Sequence, residues 1–169
     1  MSPLVRYRQF LLDAGTDKVR HSERTLFDHL CGTHNLLRMW GNEDDVCVAG
    51  LFHSIYGTNK FKHKAWPLSD RATIQGLIGL QAERLACRFG RADRPRAWFN
   101  GYEHLLPPDD VRALREIEAA NLLDQRSRSK WLTHLHASNI SEKARIAIAT
   151  FAMAPKSWSW GPHASAPVE

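Results

Sequence analysis

Three histidines, His21, His29 and His53, are the residues whose type and spacing point most directly to chemistry. His29 falls among apolar residues that recur with helical periodicity over residues 26–40, and His53 falls on a second such stripe over residues 49–56. A buried imidazole needs a hydrogen-bond partner or a metal ion, because an unsatisfied polar group inside a protein is costly. Two helices joined by a short turn would bring His29 and His53 together. The plainer alternative, two core histidines bonded to each other or to Ser and Thr side chains, stays open at this point.

The elements that must hold these histidines are helices. Helix signals recur along the chain, with Pro3 in a first turn, Asn42 before an acidic first turn, and Gly79 as a break. No segment shows the strict alternation of a strand. We therefore expect an all-α protein, a single compact domain of about six to eight helices over residues 1–153. Residues 154–169, rich in proline and tryptophan, are expected to form a C-terminal tail.

Length and composition are those of an ordinary globular protein. The 169 residues suffice for one domain with its own core, and 43% hydrophobic with 24% charged residues is typical of such domains. The net charge of +5 favours a small substrate that bears phosphate or carboxylate, but it is too diffuse for a nucleic-acid interface. The sequence shows no membrane span and no secretory signal, and its three cysteines are widely separated, so we expect a cytoplasmic protein.

Four further residues stand out by position alone. Asn121 interrupts the apolar stripe of a predicted helix, where an apolar residue would pack more easily. Arg24 lies at a predicted helix start, a place that can hold an anion. Tyr56 lies one helical turn after the histidine of the second stripe, and is either a core residue or a donor lining the pocket. Arg126 belongs to a basic stretch, residues 126–136, that is either a solvated turn or a phosphate clamp.

A longer pattern over residues 21–125 connects these positions. Its matching stretches are His29-Leu30, Leu36-Leu37, Gly41, Asp45 and residues 49–58. The pattern resembles the HD-domain superfamily, and in layout most closely the hydrolase domain of the stringent-response guanosine tetraphosphate enzymes. In that family a first histidine lies in one helix, a histidine-aspartate pair ends the next, and a final aspartate lies on a later helix. Residues 21–33 also resemble the HSxRTLxDHLxGT segment of an uncharacterised group of small HD-like proteins.

The resemblance implies a metal site with altered ligands. His29 and His53 take the two histidine positions, while Ser54 and Asn121 stand where the family has its two aspartates. Ser and Asn offer neutral oxygens, and imidazole-rich sites favour transition metals over magnesium. If His21 joins from the turn before its helix, three histidines with an open position can hold a divalent transition metal such as Fe, Zn or Mn.

The function that follows is an HD-like enzyme with a buried, histidine-rich pocket that acts on a small anionic molecule, by metal-dependent hydrolysis or iron-dependent oxidation. The expected catalytic residues are His29, His53, Ser54 and Asn121. The expected substrate-binding residues are Arg24, Tyr56, Thr58 and Arg126, with Thr58 in the turn after the motif.

Three alternatives to this enzyme stay open. The same histidines can serve a metal-free acid–base enzyme. A degenerate HD module can bind a nucleotide or metabolite without chemistry. The tail, with Trp158 and Trp160, can cover an apolar face of a second copy and so form a homodimer.

Overall fold

A computed structural model describes residues 2–99 and 103–155 of the chain. Within these ranges the fold is all-α, as the sequence predicts, with eight α-helices and one short β-hairpin. The helices are α1 (Pro3–Asp13), α2 (Leu26–Met39), α3 (Asp44–Phe52), α4 (Arg71–Ile78), α5 (Leu80–Arg91), α6 (Pro108–Asp124), α7 (Trp131–His136) and α8 (Glu142–Met153). The hairpin consists of β1 (Arg20–His21) and β2 (Arg24–Thr25). Single 3₁₀ turns lie at Thr16–Lys18, Leu68–Asp70, Arg96–Trp98 and Glu103–Leu105.

Helix α2 begins at a strong local start signal. The Thr25 hydroxyl accepts a hydrogen bond from the backbone amide of Asp28, and the Asp28 carboxylate accepts one from the amide of Thr25. This reciprocal cap satisfies two amides that the first helical turn leaves free. The predicted apolar stripe of α2 is confirmed, because its members are all buried: Leu26, His29, Leu30, Thr33, Leu37 and Trp40. Helix α2 therefore holds His29 in the protein interior.

Helix α3 follows α2 after a tight turn and packs against it. Its N-cap is Glu43, one residue later than the predicted Asn42. Gly50 lies at the contact between the two helices, where a Cβ atom would overlap the side chain of Leu37. Because Gly50 has no side chain, α3 can approach α2 closely at this position. The residue that follows α3, His53, is thereby brought beside α2.

The apolar core has two parts, and α2, α3 and α5 contribute to both. One part is closed by α6, α7 and α8, and the other by α1 and α4. Helix α6 packs directly on α2. The C-terminal half of α6 carries the buried Asn121, which this packing places across from His29.

The hairpin is the element that the sequence prediction of an all-helical chain missed. Arg20 pairs with Thr25, and His21 pairs with Arg24, in antiparallel register. Ser22 turns the chain with a left-handed φ of 57°. Strands of two residues are too short to show an alternating pattern, so hydrophobic periodicity does not reveal them. The hairpin nonetheless positions His21 and Arg24 next to the start of α2.

Two further observations concern the chain as a whole. No helix in the described ranges is long and apolar enough to cross a membrane. The three cysteines, Cys31, Cys47 and Cys87, are free thiols. The predicted C-terminal tail lies outside the described residues from residue 156 onward.

His34 is a buried histidine of α2 that the sequence predicts at the surface, because it lies off the apolar stripe. That prediction is wrong, since His34 is only 6% exposed. Burial lowers the pKa of its imidazole below the usual 6.5. Below that pH the unfolded chain binds a proton that the folded protein resists, so the contribution of His34 to stability is lost as the pH falls.

We expect the His34→Gln variant to lose less unfolding free energy than the wild type between about pH 7 and about pH 5. Urea denaturation at a series of pH values measures this loss. His134→Gln, which changes an exposed histidine, serves as the control and should retain the pH dependence of the wild type. The same slope in His34→Gln and the wild type would contradict the assignment.

Candidate functional site

His29 lies at the centre of the candidate site, buried between α2 and α6. Its Nδ1 lies 2.6 Å from Oδ2 of Asp124, and its Nε2 lies 3.2 Å from Nε2 of His53 and 3.1 Å from Oδ1 of Asn121. A carboxylate can only accept a hydrogen bond, so the Nδ1 of His29 carries a proton. In its neutral form His29 therefore directs the lone pair of Nε2 towards His53 and Asn121.

His53 presents a second lone pair to the same point. Its Nδ1 lies 2.7 Å from the carbonyl oxygen of Gly50, one turn earlier, and must donate a proton to it. Its ring packs edge-on against Phe89, with the centroids 5.1 Å apart. Burial lowers the pKa of His53 well below its usual value. His53 is therefore a neutral imidazole whose Nε2 faces His29.

Asn121 supplies the third acceptor of the cluster. Its Oδ1 accepts a hydrogen bond of 2.7 Å from Nε2 of Gln125, and its Nδ2 donates one of 3.3 Å to Glu118. These two partners fix the orientation of the amide, with the oxygen towards His29. Two imidazole lone pairs and one amide oxygen thus converge. Such a cluster of acceptors is satisfied by one added proton or one metal cation.

His21 lies beside this cluster but does not point into it. Its ring stacks on that of His29, with the centroids 4.3 Å apart and an interplanar angle of 12°, and it also contacts Phe61. Burial is the main cause that lowers the pKa of His21 to about 4. The lone pair of an imidazole lies in the plane of its ring, so two rings in nearly parallel planes do not direct their lone pairs at one ion.

The expected ligand set of His21, His29 and His53 is therefore not formed. Over residues 2–99 and 103–155, no three side chains of the His, Cys, Asp and Glu types are arranged to hold one metal ion. The ligand-type cluster that the structure brings together instead consists of His29, His53 and Asn121.

A cavity of about 530 Å³ lies over the cluster. Ser54, His21 and Asn121 line it, together with the cationic side chains of Arg20 and Lys60 and the ion pair of Arg94 with Glu118. A smaller cavity of about 360 Å³ also borders the hairpin, and His29 and Asp124 line it. The cluster thus borders space that admits a small molecule, with positive charge at the edge of the larger cavity.

Comparison with known protein families gives a match over the first part of the chain. The sequence profile of a domain of unknown function, DUF6817, matches residues 10–94, half of the chain. The chain belongs to the DUF6817 family. No curated protein and no solved structure matches it. The matched region contains the hairpin, α2 and α3 with His29 and His53, whereas Asn121 and Asp124 lie on α6, beyond it.

Four of the predicted site residues of this DUF6817 protein line the larger cavity, namely Ser54 and Thr58 in addition to His21 and Asn121. Ser54 follows His53 directly and is buried at the cavity wall. Thr58 lies nearby, where its hydroxyl accepts hydrogen bonds from the backbone amides of Lys60 and Phe61, at 3.2 and 2.9 Å. The Thr58 oxygen therefore shapes the loop that carries Lys60. The catalytic role of Ser54 and the substrate contact of Thr58 stay predictions.

Tyr56 lies elsewhere: of its two expected places, the core is confirmed and the pocket is wrong. Helix α3 ends at Phe52, so Tyr56 does not continue the helical face of His53. Its hydroxyl donates a hydrogen bond of 2.9 Å to the buried carboxylate of Glu83, which also pairs with Arg71. Tyr56 thus serves a separate polar network in the core of this DUF6817 protein.

Arg24 and Arg126, the other two expected substrate contacts, line the smaller cavity. Arg24 forms an ion pair with Asp124, and Arg126 lies 3.4 Å from Glu23. Carboxylates of the same chain therefore already contact both guanidinium groups. The expected role of these two residues in holding an anion stays a prediction.

Sequence reasoning missed the partners that hold the cluster in place. Asp124 contacts His29, and Gln125 and Glu118 form hydrogen bonds with Asn121. Arg94 in turn forms an ion pair with Glu118. One signal was available, because Asp124 lies one helical turn after Asn121 and so shares its face. The contact of Arg94 with Glu118 on α6 joins separate segments of the chain, so no local pattern in the sequence indicates it.

Proposed function

We propose that this protein is a metal-dependent hydrolase of HD-like layout that acts on a small anionic molecule. The supporting observation is a group of three acceptor atoms centred on Nε2 of His29, which lies 3.2 Å from Nε2 of His53 and 3.1 Å from Oδ1 of Asn121. Two imidazole nitrogens and a neutral oxygen suit a borderline transition ion such as Zn, Fe or Mn better than magnesium. A divalent ion bound there would supply Lewis-acid activation of a water molecule.

The surroundings of the two imidazoles support the same proposal. In each ring the nitrogen that faces away from the cluster donates to an oxygen, of Asp124 for His29 and of Gly50 for His53. Metal-binding histidines nearly always have such an outer partner, which fixes the tautomer and the ring orientation. A pair of core histidines that merely bonded to each other would need one Nε2 to carry a proton.

The chain's own residues would divide the remaining work. Arg20 and Lys60 supply positive charge at the larger cavity and would attract the anionic group of the substrate. Ser54 reaches the cavity wall, where its hydroxyl would hydrogen-bond a substrate oxygen. The ring of His21 covers His29 and limits the access of bulk water.

The order of these residues along the chain supports an HD-like layout within the proposal. A first histidine lies within α2, a second directly follows α3, and the third member, Asn121, lies on a later helix that packs on α2. The expectation of hydrolysis rests only on the resemblance to the HD-domain superfamily.

Elemental analysis tests the proposal directly. We expect the untagged protein, never exposed to chelator or nickel resin, to contain about one Zn, Fe or Mn per chain. His29→Ala and His53→Ala should each lose it, and His53→Ala should also lose hydrolysis of any phosphate or carboxylate ester that the wild type cleaves. His134→Ala, on the exposed face of α7, should keep the metal. Metal at equal stoichiometry in all variants would contradict the proposal, as would none in the wild type.

One observation favours a second candidate, the metal-free acid–base enzyme. If His29 carries protons on both nitrogens, it donates to Asp124 on one side and to His53 or Asn121 on the other, which satisfies the whole cluster with one proton. A metal-free wild type that hydrolyses a substrate through His29 would establish this candidate. Iron in the wild type would direct the substrate search to oxidation, and ligand-induced stabilisation without turnover would indicate a binding module.

A further inference from the structure

Asp124, a residue outside the acceptor cluster, contacts it through the far nitrogen of His29. Its Oδ2 lies 2.6 Å from Nδ1 of His29, across a separation of 95 residues along the chain. The carboxylate holds the proton of His29 on Nδ1 and so leaves Nε2 free to bind. We infer that Asp124 is the positioning residue of the site, which fixes the tautomer and ring orientation of His29. This inference rests on the proposed function for its consequence, the affinity for metal.

Gly32 shows that the place of this carboxylate is built into the fold. It lies on α2 one turn after His29, and a Cβ atom there would overlap Oδ1 of Asp124 and lie 2.7 Å from its Cγ. Glycine in a helix interior is unfavourable, so its presence calls for a packing reason. Here the missing side chain makes the space in which the Asp124 carboxylate reaches His29.

Arg24 holds the same carboxylate from the other side. Its guanidinium pairs with Oδ2 of Asp124 and also donates to the backbone carbonyl oxygen of Asp124 at 3.2 Å. A charge-assisted contact of this kind is stronger than a hydrogen bond between neutral groups and helps to hold the carboxylate in place. The β-hairpin, α2 and the end of α6 thus meet at Asp124.

The acidic residues closer to His29 in sequence have other partners. Asp28 forms the cap of α2 with Thr25, and Glu23 pairs with Arg126. Asp124 is therefore the carboxylate that is placed to orient the imidazole.

Two substitutions test the inference from opposite sides. Asp124→Asn keeps the size of the side chain but removes its charge, and Gly32→Ala keeps Asp124 but fills the space that it occupies. Changes in such outer partners typically weaken metal binding 10- to 100-fold. We expect both variants to lower the Zn²⁺ affinity by about that factor in competition with a chelating dye. Glu23→Gln, which changes the other acid of the smaller cavity, should leave the affinity unchanged.

The tautomer of His29 provides a readout that does not need metal. In the chelator-treated wild type, long-range ¹H–¹⁵N NMR correlations should show a proton on Nδ1 of His29. In Asp124→Asn and Gly32→Ala we expect that signal to shift towards a mixture of tautomers, while Asp124→Glu should restore part of it. An unchanged His29 spectrum in both variants would overturn the inference. A wild type that binds no metal but shows the tautomer change would reject the proposed function and leave the role of Asp124 standing.

Discussion

Replacing Arg94 with methionine is expected to lower the free energy of unfolding by about 3–5 kcal/mol. Arg94 is 6% exposed and pairs with Glu118, which is 1% exposed, through contacts of 3.0 and 3.4 Å. Its guanidinium also lies over the ring of Phe89, 4.2 Å from the centroid. Removing Arg94 leaves the Glu118 carboxylate buried without its counter-ion, which is a far larger penalty than the loss of a surface ion pair.

Urea denaturation, with folding checked by circular dichroism, measures the effect of Arg94→Met. Arg96→Met is the matched control, because the Arg96 side chain is 65% exposed and its pair with Asp93 is at the surface. We expect a change of about 0.5 kcal/mol or less for this control. If buried charge is the cause, adding Glu118→Gln to Arg94→Met should recover part of the loss. If the double variant has no higher free energy of unfolding than Arg94→Met, lost packing rather than buried charge is the cause.

This buried pair also connects the core to the candidate site. Glu118 accepts a hydrogen bond from Nε1 of Trp98 at 3.0 Å and another from Nδ2 of Asn121 at 3.3 Å. The second contact fixes which way the amide of Asn121 points. The acceptor geometry around His29 therefore depends on a salt bridge that touches neither histidine, and Arg94→Met should disturb both stability and the site.

The sequence predicts the parts of the site that follow from helical periodicity. His29 and Asn121 each interrupt an apolar stripe, and both stripes are buried as predicted. The proximity of His29 and His53 follows from two consecutive helices joined by a short turn, since such helices pack face to face. An amphipathic pattern therefore suffices to place these polar residues inside an all-α fold.

Other parts of the site depend on contacts that local patterns do not encode. His29 and Asp124 are 95 residues apart in the chain. Whether their side chains meet depends on how α2 and α6 are oriented when they pack together. The pocket alternative for Tyr56 is wrong because a period of 3.6 shows where a helical face lies but not where the helix ends. The turn after Phe52 directs the Tyr56 hydroxyl to Glu83, whose burial requires donors around it.

Charge is the other property that distinguishes the cluster from a carboxylate-rich metal site. Oδ1 of Asn121 is a neutral acceptor 3.1 Å from Nε2 of His29. An aspartate at this position would place a full negative charge where the amide oxygen lies. It would also remove the Nδ2 donor to Glu118 and set two carboxylates side by side.

Asn121→Asp is therefore expected to bind divalent metal about tenfold more tightly or better, because a charge added within a few ångströms of a dication is worth more than 1.4 kcal/mol in a buried site. The gain should be larger for Mn²⁺, a harder ion, than for Zn²⁺. Without metal the variant should be less stable than the wild type, because of repulsion with Glu118.

Chelator competition and thermal unfolding, with and without each metal, measure these effects. Asn35→Asp, on the exposed side of α2, adds the same charge away from the cluster and should leave affinity unchanged. Equal affinities in Asn121→Asp and the wild type would show that Oδ1 is not a ligand. In that case Oδ1 of Asn121 would act only in the metal-free cluster. There an uncharged oxygen can accept a hydrogen bond from a proton on Nε2 of His29 without binding a cation.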